Sequence, residues 1–392
     1  MSNTQKKNVP ELRFPGFEGE WEEKKLESII KVNSGKDYKH LDKGDIPVYG
    51  TGGYMTSVSE PLSEIDAVGI GRKGTINKPY LLEEPFWTVD TLFYCTPKKE
   101  TDILFILSLF RKINWKVYDE STGVPSLSKQ TINKINRFVP TNKEQQKIGK
   151  FFSKLDRQIE LEEQKLELLQ QQKKGYMQKI FSQELRFKDE NGNDYPEWEN
   201  VMLQKVLKDK TEGIKRGPFG GALKKDIFVE SGYAVYEQRN AIYDISNFRY
   251  YINENKYKEM QSFSVQPNDI IMSCSGTIGR LALIPQNYTK GIINQALIRF
   301  RTNHKIRSEF FLIFMRSNQM QRKILEANPG SAITNLVPVK ELKLIPFPLP
   351  VKFEQDKISQ FILIINRRIE QSEKKIESLK NRKQGFLQKL FV

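Results

Sequence analysis

Few residues in this chain have types and spacing that could do chemistry, and the best spelled is a run of glycines, Gly69-x-Gly71-x-x-Gly74, that carries Arg72, Lys73 and Thr75. The spelling fits a dinucleotide loop, which leads a strand into a long helix whose N-terminus meets pyrophosphate. Here Ile76-Asn77-Lys78-Pro79 follows at once, and the proline stops any helix. A tight turn that offers Arg72, Lys73 and Thr75 to a DNA backbone or base edge suits the same residues better. The other reactive side chains exclude more than they offer. His40 and His304 are the two histidines and stand at unrelated places, against imidazole catalysis and zinc sites. Cys95 and Cys274 form neither a disulfide framework nor a thiolate metal site, and point to a reducing compartment. No GxxxxGK[ST] loop is present, which excludes ATP hydrolysis of that kind. Asn77-Lys78-Pro79-Tyr80 approaches the Asn/Asp-Pro-Pro-aromatic motif of amino-group methyltransferases, but it lacks the first proline and no methyl-donor loop accompanies it. The inventory describes a chain that binds rather than reacts.

The elements that would position such loops are announced by a long repeat. From Glu144 the chain reads EQQKIGKFFSKLDRQIELEEQKLELLQQQKKGYMQKIF, and from Glu354, 210 residues on, EQDKISQFILIINRRIEQSEKKIESLKNRKQGFLQKLF. On a heptad the first copy places Phe152, Leu155, Ile159, Leu166 and Leu169 inward, and the second places Ile362, Ile365, Ile369, Ile376 and Leu379 there. Even the polar interruptions recur in phase, at Glu162 and Ser372 and at Lys173 and Lys383. A period near 3.5 with charged flanks is the coiled-coil pattern. Two such helices on one chain pair most simply with each other, because the tether makes the contact intramolecular. A helix from Glu144 to Phe181 would be about 57 Å long.

The repeat continues outside the helices with drifting offsets. Pro140 answers to Pro350, Gly74-Thr75-Ile76 to Gly276-Thr277-Ile278, and ELRF at Glu11 to ELRF at Glu184. Duplicated units are implied, in which the helices are held and the globular parts have diverged. Each globular part reads as α/β. Short strands are expected at Ile65–Ile70, Phe86–Cys95, Val235–Tyr236, Asp269–Ser273 and Ala296–Arg301. Single amphipathic helices are expected at Ile103–Val117 and Ser308–Glu326. The division is residues 1–140, a helix over 141–182, residues 183–350 and a helix over 351–392.

Net charge is +15 with a pI near 9.4, which suits a polyanionic partner, nucleic acid first among them. The excess is uneven: residues 1–140 carry 20 Lys+Arg against 19 Asp+Glu, and 351–392 carry 10 against 5. Positive charge in the first globular part must therefore be clustered if it touches phosphate. The N-terminus has no apolar core for a signal peptide, and no run approaches the roughly 18 apolar residues of a membrane span. A cytoplasmic protein with no membrane partner is expected.

Two variable α/β domains alternating with two near-identical helices resemble the specificity subunit of type I restriction-modification systems. The resemblance rests on the duplicated helix, on Phe151 to Ile159 and its partner Phe361 to Ile369, and on Gly-Val-Pro-Ser-Leu-Ser at Gly123 to Ser128. Gly330 to Asn335 departs from that last segment in the second half, as expected if the halves read different sequences. The resemblance implies two target-recognition domains, each reading half of a split site on double-stranded DNA. They would be separated by an antiparallel intramolecular coiled coil with a pseudo-two-fold internal repeat. It implies docking of two adenine-N6 methyltransferase subunits and of restriction/translocase subunits. S-adenosylmethionine, ATP and magnesium belong to those partners, so this chain is expected to hold no cofactor or metal and to catalyse nothing.

Half-sites read from one face of DNA lie about one turn, roughly 34 Å, apart, which domains at the ends of such helices could reach. The DNA-reading residues are expected on loops. They are Lys36, Tyr49, Thr51, Arg72, Lys73, Thr75 and Ser126 in the first domain. In the second they are Arg216, Phe219, Arg239, Asn240, Ser275, Thr277, Arg280 and Asn335. Arg and Lys pair with guanine or phosphate, Asn with adenine, and hydroxyls with either. The competing readings are a self-contained methylase or nuclease, and a coiled-coil DNA-binding scaffold or regulator without methylase partners.

Overall fold

A computed structural model describes residues 8–209, 212–219, 221–326 and 338–392. The chain divides into two compact units, residues 1–166 with 371–392, and residues 167–370. The divisions fall inside two long helices, Asn142–Phe181 and Lys352–Lys389. Each unit therefore owns part of both helices, whereas the sequence reading separated helix from globule at 140/141, 182/183 and 350/351. The physical reason is that helix side chains complete the globular cores.

In the first unit a four-stranded antiparallel sheet has the order β2 (Ile30–Ser34), β8 (Leu92–Pro97), β5 (Ala67–Gly71), β6 (Tyr80–Leu82). A second sheet sets β3 (Ile46–Gly50) between β4 (Gly53–Val58) and a parallel partner, β7 (Trp87–Thr88). A two-stranded ribbon joins β1 (Glu22–Lys25) to β9 (Asn136–Val139), just ahead of the long helix. Every residue of β5 is buried, which is why it reads as a continuous apolar run rather than an alternating one.

Phe86–Cys95, expected as one strand, is broken by a turn in which the Leu92 N–H donates to Val89 O at 3.0 Å. The helix expected to reach Val117 stops at Lys112. Asp102 caps its start by accepting from the Phe105 N–H at 2.8 Å. At its other end the buried Trp115 indole donates to the Phe110 carbonyl at 2.7 Å, one of those a helix terminus leaves open. Ile148, Phe152 and Leu155 of the first long helix join Leu387, Leu390 and Phe391 in the same core, with Phe105 and Phe391 stacked 5.6 Å apart.

The second unit repeats the plan. Its four-stranded antiparallel sheet has the order β11 (Ile214–Arg216), β18 (Leu297–Phe300), β15 (Ile270–Ser273), β16 (Leu281–Leu283). Beside it lie β12 (Phe228–Val229), β14 (Tyr251–Ile252), β13 (Tyr233–Tyr236) and β17 (Gly291–Ile293), the last two parallel as β3 and β7 are. The ribbon ahead of the second long helix is β10 (Glu199–Met202) with β19 (Pro346–Leu349).

Ser308–Glu326 is two helices, Ser308–Met315 and Asn318–Glu326. Ser317 makes the break, because its hydroxyl accepts from the Met320 N–H at 3.2 Å and so caps a new start. Ile180, Ile358 and Ile362 of the long helices enter this unit's core with Phe310, Phe311 and Phe347.

The anchors seen in sequence acquire a reason. Arg13 of the first ELRF makes a two-pronged pair with buried Glu144, at 2.8 and 2.7 Å, and Arg186 of the second does the same with buried Glu354, at 3.0 and 2.9 Å. Gln145 and Gln355 donate to Pro140 O and Pro350 O at 2.9 and 2.7 Å. On the helices Phe152, Leu155, Ile159, Ile362, Ile365, Ile376 and Leu379 are buried, and Leu166, Leu169 and Ile369 are half-buried. Among the described residues no helix is long and apolar enough to cross a membrane.

Candidate DNA interface

In the first unit the expected reading loops converge on one edge of the sheets, where β2 and β5 end and β8 begins. The Lys36 N–H donates to Thr88 O at 2.8 Å, and the Val89 N–H donates to Tyr49 O at 3.0 Å. The Arg72 N–H donates to Thr91 O at 2.8 Å, so the segment between β7 and β8 ties three loops together. The glycine run leads from β5 into a turn and then β6, the geometry of a surface loop and not of a dinucleotide cradle. Its tip is bridged to the Gly123–Ser128 segment. Lys73 pairs with Ser126, the Gly74 N–H donates to Pro125 O at 2.8 Å, and the Leu127 N–H donates to Arg72 O at 2.9 Å.

Lys36, Arg72 and Lys73 are exposed there, and Thr51, Thr75 and Ser126 are half-buried. Arg72 lies over the Phe93 ring, 5.8 Å from its centre. Tyr49 packs among Tyr54 and Tyr80, whose hydroxyl donates to Gly50 O at 2.6 Å. Tyr49 is half-buried and helps to build the edge.

The second unit forms the matching edge. The Gly217 N–H donates to Leu297 O, Cys274 N–H to Ala296 O and Asn294 N–H to Tyr236 O, each at 2.9 Å. A Cβ on Gly217 would stand 1.8 Å from Asn294 O, and one on Gly35, at the same place in the first unit, 2.0 Å from Val89 O. Only glycine lets the loop after the first sheet strand pass so close to its neighbour. Arg216, Phe219, Ser275 and Gln295 line a shallow cleft on this edge, and Phe219 is 87% exposed. Ser275, Thr277 and Arg280 are exposed on the loop after β15, and Arg239 is half-buried on the helix Gln238–Tyr243.

Asn240 is a correction. It is buried, its carbonyl accepts from the Glu237 N–H at 2.8 Å, and its amide donates to Ile245 O and Asn247 O at 2.9 and 3.1 Å. With its amide satisfied inside a helix cap, it has nothing to offer a base. Asn335 and the Gly330–Asn335 segment lie outside the described residues.

Against known families, residues 18–171 and 219–381 match the type I restriction modification DNA specificity domain. The chain belongs to that family. As the DNA-specificity subunit of a type I system it is similar to two specificity subunits of Methanocaldococcus jannaschii. One is that of the type I restriction enzyme MjaVIII, 24% identical over 349 residues, or 84% of this chain and 76% of that one. The other is that of the putative enzyme MjaX, 25% identical over 298 residues, or 74% and 67%. Its fold is similar to the crystal structure of the S subunit from M. genitalium, with a TM-score of 0.65, 15% identity, and 98% of this chain and 99% of that one covered. It is also similar to a chain solved in work on complex assembly and conformational transition of the type I system, with a TM-score of 0.56, 14% identity and 97% and 98% coverage.

Several residues that shape this specificity subunit's edges escaped the sequence reading. Asp119 accepts from the Ser121 and Ser126 N–H groups at 3.0 and 2.9 Å and so holds the Gly123–Ser128 segment. Those bonds, that of Ser126 foremost, keep its carboxyl below the usual range. Gln238 donates to Ser275 O and steadies the loop after β15. Tyr54 and Met55 stand exposed on the β3–β4 hairpin, and the signal for them was their place directly after Thr51-Gly52-Gly53. Burial pushes both thiols up, Cys274 to about 11, so neither is a thiolate near neutral pH.

Proposed function

We propose that residues 1–140 and 183–350 are two target-recognition domains, each reading one half of a split sequence on double-stranded DNA from the loop edge of its unit. The observation that carries this reading is that both units form the same edge on the same strand order while lining it with different side chains. One edge offers Lys36, Arg72, Lys73 and Ser126, and the other Arg216, Phe219, Ser275 and Arg280. Equal scaffolds with unequal loops suit independent readers.

The two long helices form an antiparallel coiled coil with a pseudo-two-fold axis in this proposal. Supporting it, the Ser372 hydroxyl donates to the Glu162 carboxylate at 3.0 Å, and these are the residues that the 210-residue repeat makes equivalent. Equivalent positions of two antiparallel helices meet only where such an axis passes. That helix pair is the platform for two adenine-N6 methyltransferase subunits, with restriction/translocase subunits joining them. S-adenosylmethionine, ATP and magnesium reside in those partners, this chain supplies address without catalysis, and the complex works in the cytoplasm.

The test is methylome sequencing of a host given this chain with its methyltransferase, before and after residues 15–140 are exchanged for those of another family member. One half of the methylated motif should change. A change in both halves would sink the proposal of independent readers.

A further inference from the structure

In the second unit the first long helix and the helix Asn318–Glu326 enclose a hollow of about 890 Å³. Lys173, Lys174, Arg316, Arg322 and Lys323 line it above a floor that includes Met177 and Phe181, and no carboxylate is among the described residues that line it. The corresponding hollow of the first unit is neutralised. There Asp156 pairs with both Arg111 and Lys383, and Glu163 pairs with Lys380 at 2.6 Å. The repeat puts Asn366 where Asp156 stands. Arg316, in the place of Arg111, turns to Asp244 at 3.0 Å instead. Of the cations in the first hollow the repeat thus keeps Arg111 as Arg316 and Lys383 as Lys173, replaces Lys380 by Gln170, and adds Lys174 where Gln384 stands.

The same hollow abuts the reading edge. Gln321, on the helix that carries Arg322 and Lys323, donates to Gly279 O at 3.0 Å and to Met315 O at 2.7 Å. Gly279 lies in the loop of Thr277 and Arg280. A duplex engaged by that loop would run toward the helix that carries Arg322 and Lys323, and the long stems of Lys174 and Lys323 can lie on the apolar floor with their ammonium groups in water.

We propose that Lys174, Arg322 and Lys323 form a phosphate track for the DNA backbone flanking the half-site read by the second unit, absent from the first. It rests on the DNA-specificity reading and adds a sequence-independent anchor to it. An acidic protein helix is the occupant this excludes, because the row continues a DNA-reading loop.

The test uses the full chain with the subunits that co-purify with it. It titrates binding with KCl on a duplex carrying the methylated site and on a shuffled duplex of equal length. The combined variant K174A/R322A/K323A should weaken both duplexes by the same factor and reduce the slope of log affinity against log salt by about 2 to 3, near 0.9 for each phosphate no longer neutralised. The methylated motif should not change, and Arg322→Lys should keep the slope. An unaltered slope would overturn the track, and loss of co-purifying subunits alongside it would assign the hollow to a protein partner. A loss confined to the cognate duplex would overturn it in favour of base reading. If the unaltered chain bound both duplexes alike, the specificity reading would fail instead, while the slope on the shuffled duplex would still decide the track.

Discussion

Glu162 sits at an inward helix position where an apolar residue would be the ordinary choice, and its surroundings explain how a carboxylate is tolerated. Lys165 at 3.0 Å, Lys375 at 3.1 Å and the Ser372 hydroxyl at 3.0 Å hold it ionised, and its pKa falls from 4.5 to about 2. A carboxylate depressed on folding stabilises the protein above its unfolded pKa, and that contribution disappears as pH falls through the folded one. The window here runs from about pH 4.5 down to about 2. Urea unfolding midpoints measured across it should fall more steeply for the unaltered chain than for Glu162→Gln. Parallel slopes would mean that the cluster contributes nothing on folding. The polar interruption was visible in sequence as a recurring exception. Its pairing was not, since only the folded register brings residues 210 positions apart into contact.

At the scale of elements, each long helix begins at a buried carboxylate held from outside the helix. Arg186 and the Trp198 indole both donate to Glu354, the indole at 2.8 Å. Removing the guanidinium strands a buried charge, which costs about 3 to 5 kcal/mol in comparable pairs. Arg186→Ala should therefore lower the unfolding midpoint and speed hydrogen exchange at the start of the second long helix. Arg186→Lys should restore little, because a single ammonium cannot make the two-pronged bond. Unchanged exchange there would show that the ribbon of β10 and β19 alone holds the helix start. The heptad made both helices readable from the sequence. Their anchors appeared only as ELRF and Glu-Gln repeated at unequal offsets, without a sign that the two motifs touch.

At the scale of the molecule, each unit closes its own core around different aromatic side chains, Phe105, Phe110 and Trp115 in one and Phe310, Phe311 and Phe347 in the other. Phe347 is fully buried, stacked on Phe311 at 5.5 Å and edge-on to Phe314 at 4.8 Å. Phe347→Ala should cost about 3 to 5 kcal/mol. Hydrogen exchange should quicken in the strands of residues 167–370, with those of the first unit unmoved. Equal quickening in both would show that the units open as one. Separate cores are what the proposed pair of independent readers requires, since one edge could then change without disturbing the other.

The sequence by itself determined the duplication, the long helices and their inward faces, because periodicity is a local property written every three or four residues. It also located the basic glycine loop and the Gly123–Ser128 segment. What only the tertiary structure decided is which of those loops share an edge, since the bridge from Lys73 to Ser126 and the contact from Gln321 to Gly279 depend on strand order that no local pattern encodes. It withdrew Asn240, whose side chain closes a cap, and it divided the chain inside the helices rather than at their ends. Burial is a property of the packed whole, and the same asparagine or isoleucine reads alike in sequence whether it meets water, DNA or a core.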